Sequence, residues 1–131
     1  MLDVYMIKSD SLLVARPKGV VNINTATALI EFVEIKEKLE ETGFNRFCDM
    51  TRIKGIHLSC AEVLRLAARR REFNPNDIRV KSAFLATNPL VFGIARMYEQ
   101  LLNSPRIKVR VWTEMQAAGD WLGIEPAKLK F

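Results

Sequence analysis

Short β-type runs alternate with helical stretches along almost the whole chain, and that alternation limits what it can fold into more than any other feature. Residues 4–8 and 12–16 read as strands joined by Ser9-Asp10-Ser11, whose side chains can bond their own backbone, so the chain is expected to open on a hairpin. Pro17-Lys18-Gly19 ends that hairpin. Asn22 or Asn24 can then accept from the free amides of a helix over 25–41, for which Gly43 supplies a stop. A third strand over 45–50 leads into 51–58, where Gly55 reads as breaking any regular continuation. Ser59-Cys60-Ala61-Glu62 has the spacing of a capping box and opens a second helix reaching Phe73. The turn Asn74-Pro75-Asn76-Asp77 precedes a fourth strand over 79–86.

Asn88-Pro89 marks the next helix: an asparagine cap, then a proline where its missing amide costs nothing. That helix runs to Leu102. Residues 107–112 alternate Ile107, Val109 and Val111 with Lys108, Arg110 and Trp112, which predicts a half-buried strand with cations facing out. Thr113-Glu114-Met115-Gln116 has capping-box spacing before a short helix ending at Leu122, closed by Gly123. The order β-β-α-β-α-β-α-β-α implies right-handed crossovers. The expected fold is therefore α/β: one mixed, mostly parallel five-stranded sheet flanked by about four helices, in a single domain over 1–131.

A content of 49% hydrophobic and 27% charged residues in 131 residues supports a core without staples and excludes disordered and fibrous classes. Cys48 and Cys60 form no CxxC pair, which predicts reduced thiols and a cytoplasmic setting. An early acid, the lack of a basic leader and the shortness of every apolar run argue against export and membrane insertion. The chain carries no GxSxG, Walker loop, GxGxxG or HExxH. Asp49, His57, Cys48 and Cys60 fall within a short span but match no metal-ligand template, so neither enzyme activity, nor a cofactor, nor a metal is expected.

Charge and apolar content are unevenly spread. Residues 25–41 hold five glutamates against Lys36 and Lys38, whereas 62–81 carry six cations against three acids, with Arg69, Arg70 and Arg71 in a row. That polarity suits docking to an oppositely charged protein surface or self-association as a homodimer. The net charge of +5 also permits electrostatic nucleic-acid binding, disfavoured because no aromatic or amide side chains interleave the basic residues. On the first helix, Ala28, Phe32, Ile35 and Leu39 form a full-length stripe read as the core face, while Ala26, Leu29, Ile30 and Val33 crowd the other side. On the third, Leu90, Ile94, Met97, Tyr98 and Leu101 form the expected buried stripe and leave Phe92 beside Arg96 and Glu99. Leu29, Val33 and Phe92, with Arg69 to Arg71, are the candidate partner contacts; cover by the hairpin or a loop is the alternative. Should the surplus apolar residues line a cavity, a small apolar ligand or lipid is the implied occupant.

The ladder as a whole resembles the STAS fold of anti-sigma-factor antagonists, in particular its SpoIIAA-like subset. The resemblance is carried most specifically by FLATNPLVFGIARMYE at 84–99, VRVW at 109–112 and AAGDWLG at 117–123. It implies a non-catalytic regulatory module that docks onto a protein partner, takes a small ligand or lipid in some members, and in others is switched by phosphorylation. In the sporulation-type members a strand ending Asp-x-Ser is followed by Asp-Ser-Ser-Gly at the next helix start, whose second serine takes the phosphate. Asp49-Met50-Thr51 falls on the first element and His57-Leu58-Ser59-Cys60 on the second, with His57 in the place of the acid and Cys60 in that of the glycine. Ser59 and, more weakly, Thr51 are thus the residues the resemblance implies for phosphorylation. A helix N-terminus such as that at Ser59 also favours a phosphate on its own account.

Overall fold

The N-terminal hairpin pairs β1 (Leu2–Ile7) with β2 (Leu12–Pro17) antiparallel, from Leu2 opposite Pro17 to Ile7 opposite Leu12. Its turn is a single 3₁₀ turn, Lys8–Asp10, followed by Ser11 in the left-handed region at φ 48°. The computed structural model describes residues 2–40, 42–73 and 77–130; the turn expected at Asn74-Pro75-Asn76 lies outside them. Three strands then add to β2 in parallel: β4 (Asn45–Asp49), β6 (Val80–Leu85) and β7 (Ile107–Trp112). The sheet order is β1-β2-β4-β6-β7, so the five-stranded, mostly parallel sheet is as the residue pattern predicts, with β1 and β7 at its edges. On β7, Ile107 and Val109 are buried while Lys108 and Arg110 face solvent, the alternation an edge strand uses against unwanted pairing.

The second sheet departs from expectation. Residues 51–58 are not irregular: β5 (Ile53–His57) pairs in parallel with β3 (Gly19–Asn22), and Gly55 lies opposite Val20 within that ribbon. Two strands this short, one holding a glycine, give little periodic signal. They persist because Val21 and Ile53 bury against Ala86 and Val91.

Helices α1 (Ile23–Leu39), α2 (Cys60–Glu72) and α3 (Pro89–Leu102) share one face of the five-stranded sheet, packing Leu29, Phe32, Val33, Ala67 and Leu102 onto side chains such as Leu13, Ala15, Cys48, Val80 and Val109. The opposite face, Leu12, Val14, Phe47, Ala83 and Leu85, is covered by α4 (Met115–Leu122) and a short α5 (Pro126–Leu129) through Ala118, Leu122 and Leu129. The fifth helix was not expected; its entry, Pro126 at the first turn, follows the same rule as Asn88-Pro89. Among the described residues no helix is long and apolar enough to cross a membrane.

Capping follows the sequence with two exceptions. Asn22 Oδ1 accepts from the Thr25 amide (3.1 Å), Asn88 Oδ1 from Leu90 (2.9 Å), and Ser59 and Glu62 form the reciprocal capping box at 3.1 and 2.9 Å. At α4, however, the box expected from Thr113 is not made: Glu114 occupies the cap position without a side-chain bond. Gly43 is no helix stop either, since α1 ends at Leu39; a Cβ there would lie 2.3 Å from Ile78 Cγ2, so close approach is what demands glycine.

Candidate functional site

The rotation of α1 about its axis decides the site, and of the expected core stripe only Phe32 packs inward. Ile35 and Leu39, taken from the sequence as core, are 58% and 72% exposed, and Ala28 faces solvent with them. Inward go Leu29, Ile30 and Val33 together with Glu34 and Glu37, both buried. The helix carries apolar residues on two sides, so hydrophobic periodicity could not choose a face; burial of two carboxylates against arginines does. Glu34 takes three bonds from Arg69, the shortest 2.7 Å, and lies 3.4 Å from Arg70; Glu37 takes Arg70 at 2.9 and 2.8 Å and Arg46 besides.

The candidate partner contacts are corrected accordingly. Arg70 is only 3% exposed and fully engaged with Glu34 and Glu37, so it presents nothing to a partner. Arg71 is exposed, yet its Nη1 donates to the Leu101 (2.7 Å) and Leu102 (3.2 Å) carbonyls and completes the end of α3. Arg69 keeps a partly exposed side chain while holding Glu34. Leu29 and Val33 pack inward, and Phe92 packs against the cluster of Val21, Ile53, Ala86 and Val91. On α3, Leu90 faces solvent, and the buried residues are Val91, Ala95 and Leu102. Glu34 and Glu37 of the acidic helix thus pair with Arg69 and Arg70 of the basic one within the chain.

Ser59 and Thr51 are both exposed. Ser59 acts as the cap of α2. Thr51 donates through its amide (3.0 Å) and hydroxyl (2.6 Å) to Asp49 Oδ1, closing the turn after β4. The other oxygen of Asp49 takes Arg16 Nη1 at 2.7 Å; Arg16, 1% exposed, also donates to the Tyr5 hydroxyl and the Leu129 carbonyl. Cys48 and Asp49 are consecutive on β4 and so lie on opposite faces of the sheet. Burial, with the charge of Asp49, pushes the Cys48 thiol up to about 12, which keeps it protonated and a poor nucleophile. Cys60 is free and exposed. Among the described residues no group of His, Cys, Asp and Glu could hold a metal ion.

Between these elements lies a half-open cavity. About 120 Å³ lies between the sheet, α1, α2, α3 and the β3–β5 ribbon, with almost wholly apolar walls that include Leu29, Ile30, Ile56, Leu66, Phe84 and Ile94. A second chamber of about 70 Å³ shares Leu29, Ile30, Cys48, Phe84 and Tyr98 with the first, and adds Arg46, Arg70 and Ser82. The Phe84 and Tyr98 rings meet edge to face at 5.9 Å in the shared wall. Burial holds the Tyr98 phenol above its usual pKa against the lowering pull of Arg70 and Arg46.

No protein-family model matches the chain, and no curated protein does. Among solved structures it is similar to an uncharacterized protein of the DUF3478 family with a SpoIIAA-like fold from Shewanella loihica PV-4, with a TM-score of 0.58 at 14% identity, covering 93% of this chain and 92% of that one. The fold is SpoIIAA-like. At that identity the likeness extends to architecture, in agreement with the resemblance carried by 84–99 and 109–123.

Proposed function

We propose that this chain is a non-catalytic binding module whose ligand is a small apolar molecule taken into the cavity beneath α1. The single observation that supports this reading is the cavity itself: about 120 Å³ with almost no polar surface, on the face of the sheet opposite the buried Leu12, Val14 and Leu129. By the scale on which a cavity of about 150 Å³ admits benzene, this space and the chamber of about 70 Å³ beside it together suit about eight carbon atoms. Titration with 1-octanol, followed by NMR shifts of the Leu29 and Ile30 methyls, is the test. Saturable shifts are expected in the native protein and their loss in Ala95→Leu, because Ala95 lines the cavity. Unchanged spectra in the native protein would overturn the reading.

Docking onto a protein partner, the role the fold suggests, is the second reading, and the outward stripe of Ala28, Ile35 and Leu39 on α1 favours it, with Arg69 and Arg71 on the neighbouring helix. A phosphate on Ser59 would regulate such docking only by giving up the capping box, since Glu62 would then face it as a like charge. Leu39→Ser should weaken partner capture without touching octanol binding; equal loss of both would argue against separate surfaces.

A further inference from the structure

Arg46 and Arg70 line the second chamber and belong to a cluster richer in buried cations than in buried acids. Arg46, Arg70 and Arg106 are buried around Glu37, with Glu34 the only other buried acid of the cluster among the described residues; Asp77 acts on Arg106 from the surface. Glu34 is already shared with Arg69. One buried cation is therefore left over, and guanidinium does not shed its proton to relieve this. The shortfall is concentrated on Arg46. Its Nη2 reaches Glu37 and its guanidinium stacks on Phe44 at 4.7 Å, but its Nε is buried without a hydrogen-bond partner among the described residues. Burial lowers the Arg46 pKa, and Glu37 restores only part of it. A buried donor left unpaired is costly, and a surplus buried cation more so, unless an anion joins it.

Resting on the apolar-cavity reading, we propose that the occupant is a medium-chain carboxylate, of about eight carbons by the same volume scale, with its chain in the apolar chamber and its carboxylate beside Arg46. The apolar chamber takes the methylenes. The second chamber has Arg46, Arg70 and Ser82 in its walls and the first has none of them, so charge and donors lie on one side of the pair, which is the distribution an anionic amphiphile requires and a hydrocarbon does not.

The experiment compares octanoate, 1-octanol and octylammonium by calorimetry and NMR on the native protein, on Arg46→Met and on Arg46→Lys. Octanoate is expected to bind at least tenfold more tightly than octanol, and octylammonium more weakly than either. Arg46→Met should lose that preference while still binding octanol, and Arg46→Lys should keep part of it. Equal binding of octanoate and octanol to the native protein would overturn the carboxylate assignment and leave the apolar cavity standing. Should none of the three bind, both readings fall; should octanoate bind Arg46→Met unchanged, the assignment to Arg46 falls.

Discussion

Two buried charge networks lie on opposite faces of β4, and they differ in whether they close. On the α4–α5 side, Arg16 donates to Asp49, to the Tyr5 hydroxyl and to the Leu129 carbonyl, and Thr51 fills the other oxygen of Asp49. On the α1–α3 side, Arg46, Arg70 and Arg106 crowd two glutamates, and a buried Nε goes unpaired. The first network ties the hairpin, β4 and α5 together and adjoins a packed core. The second borders a cavity. Desolvated ions stabilise a fold only when every donor and acceptor is met, so the first reads as a staple and the second as a staple with one hand free.

The largest effect should come from removing the shared anion of the open network. Glu37→Gln leaves Arg46 and Arg70 without their main partner, and a loss of about 5 kcal/mol in urea unfolding is expected, at the upper end for a broken buried pair. The same residue sets an acid limit. Burial by itself would raise the Glu37 pKa, but the Arg70 bonds and the charges of Arg46 and Arg70 hold it below its ordinary 4.5. The folded state thus binds this proton less readily than the unfolded chain: the contribution is complete above pH 4.5 and fades as pH falls below it toward the lowered folded value. Glu37→Gln should flatten that acid limb; an unchanged limb would show that other carboxylates carry it.

Next comes Arg16→Met, which leaves Asp49 buried with only the Thr51 donors. A cost of about 3 kcal/mol is expected, and a cost near zero would break the claim that this network is closed and structural. Ser59→Ala, at an exposed cap, gives the scale of an ordinary polar contact: about 1 kcal/mol, read from the shift in the unfolding midpoint.

The scaffold was legible in the sequence for the same reason these caps are. Strand alternation at 107–112, the Asn88-Pro89 entry and the Ser59–Glu62 box are local signals, each written within a few residues of its consequence. The site was not. Arg16, Arg46, Glu37 and Arg106 acquire meaning only through partners 9 to 113 positions away, as with Arg46 to Glu37 and Arg16 to the Leu129 carbonyl. The one local trace was a cation at an inward position of a strand, Arg46 beside Phe47, and two glutamates at helical spacing among Ile30 and Val33. On a helix with two apolar sides those glutamates settle which face turns in, and the expectation of Ile35 and Leu39 as core failed because charge pairing outweighed the apolar count.

The smallest expected effect is the sharpest test of the comparison. Arg46→Met removes a cation that is nine-tenths buried, a change that in a closed network would cost as much as Arg16→Met. Here Glu37 keeps two bonds from Arg70, with Arg106 3.9 Å away, while the unpaired Nε and the surplus charge both disappear and a side chain of similar length fills the space beside Phe44. The loss should therefore stay under about 1 kcal/mol, and a small gain would be consistent with the same balance. A cost matching that of Arg16→Met would mean that Arg46 is fully compensated as it stands. The second chamber would then have no call for an anion, and the difference between the two faces of β4 would reduce to packing.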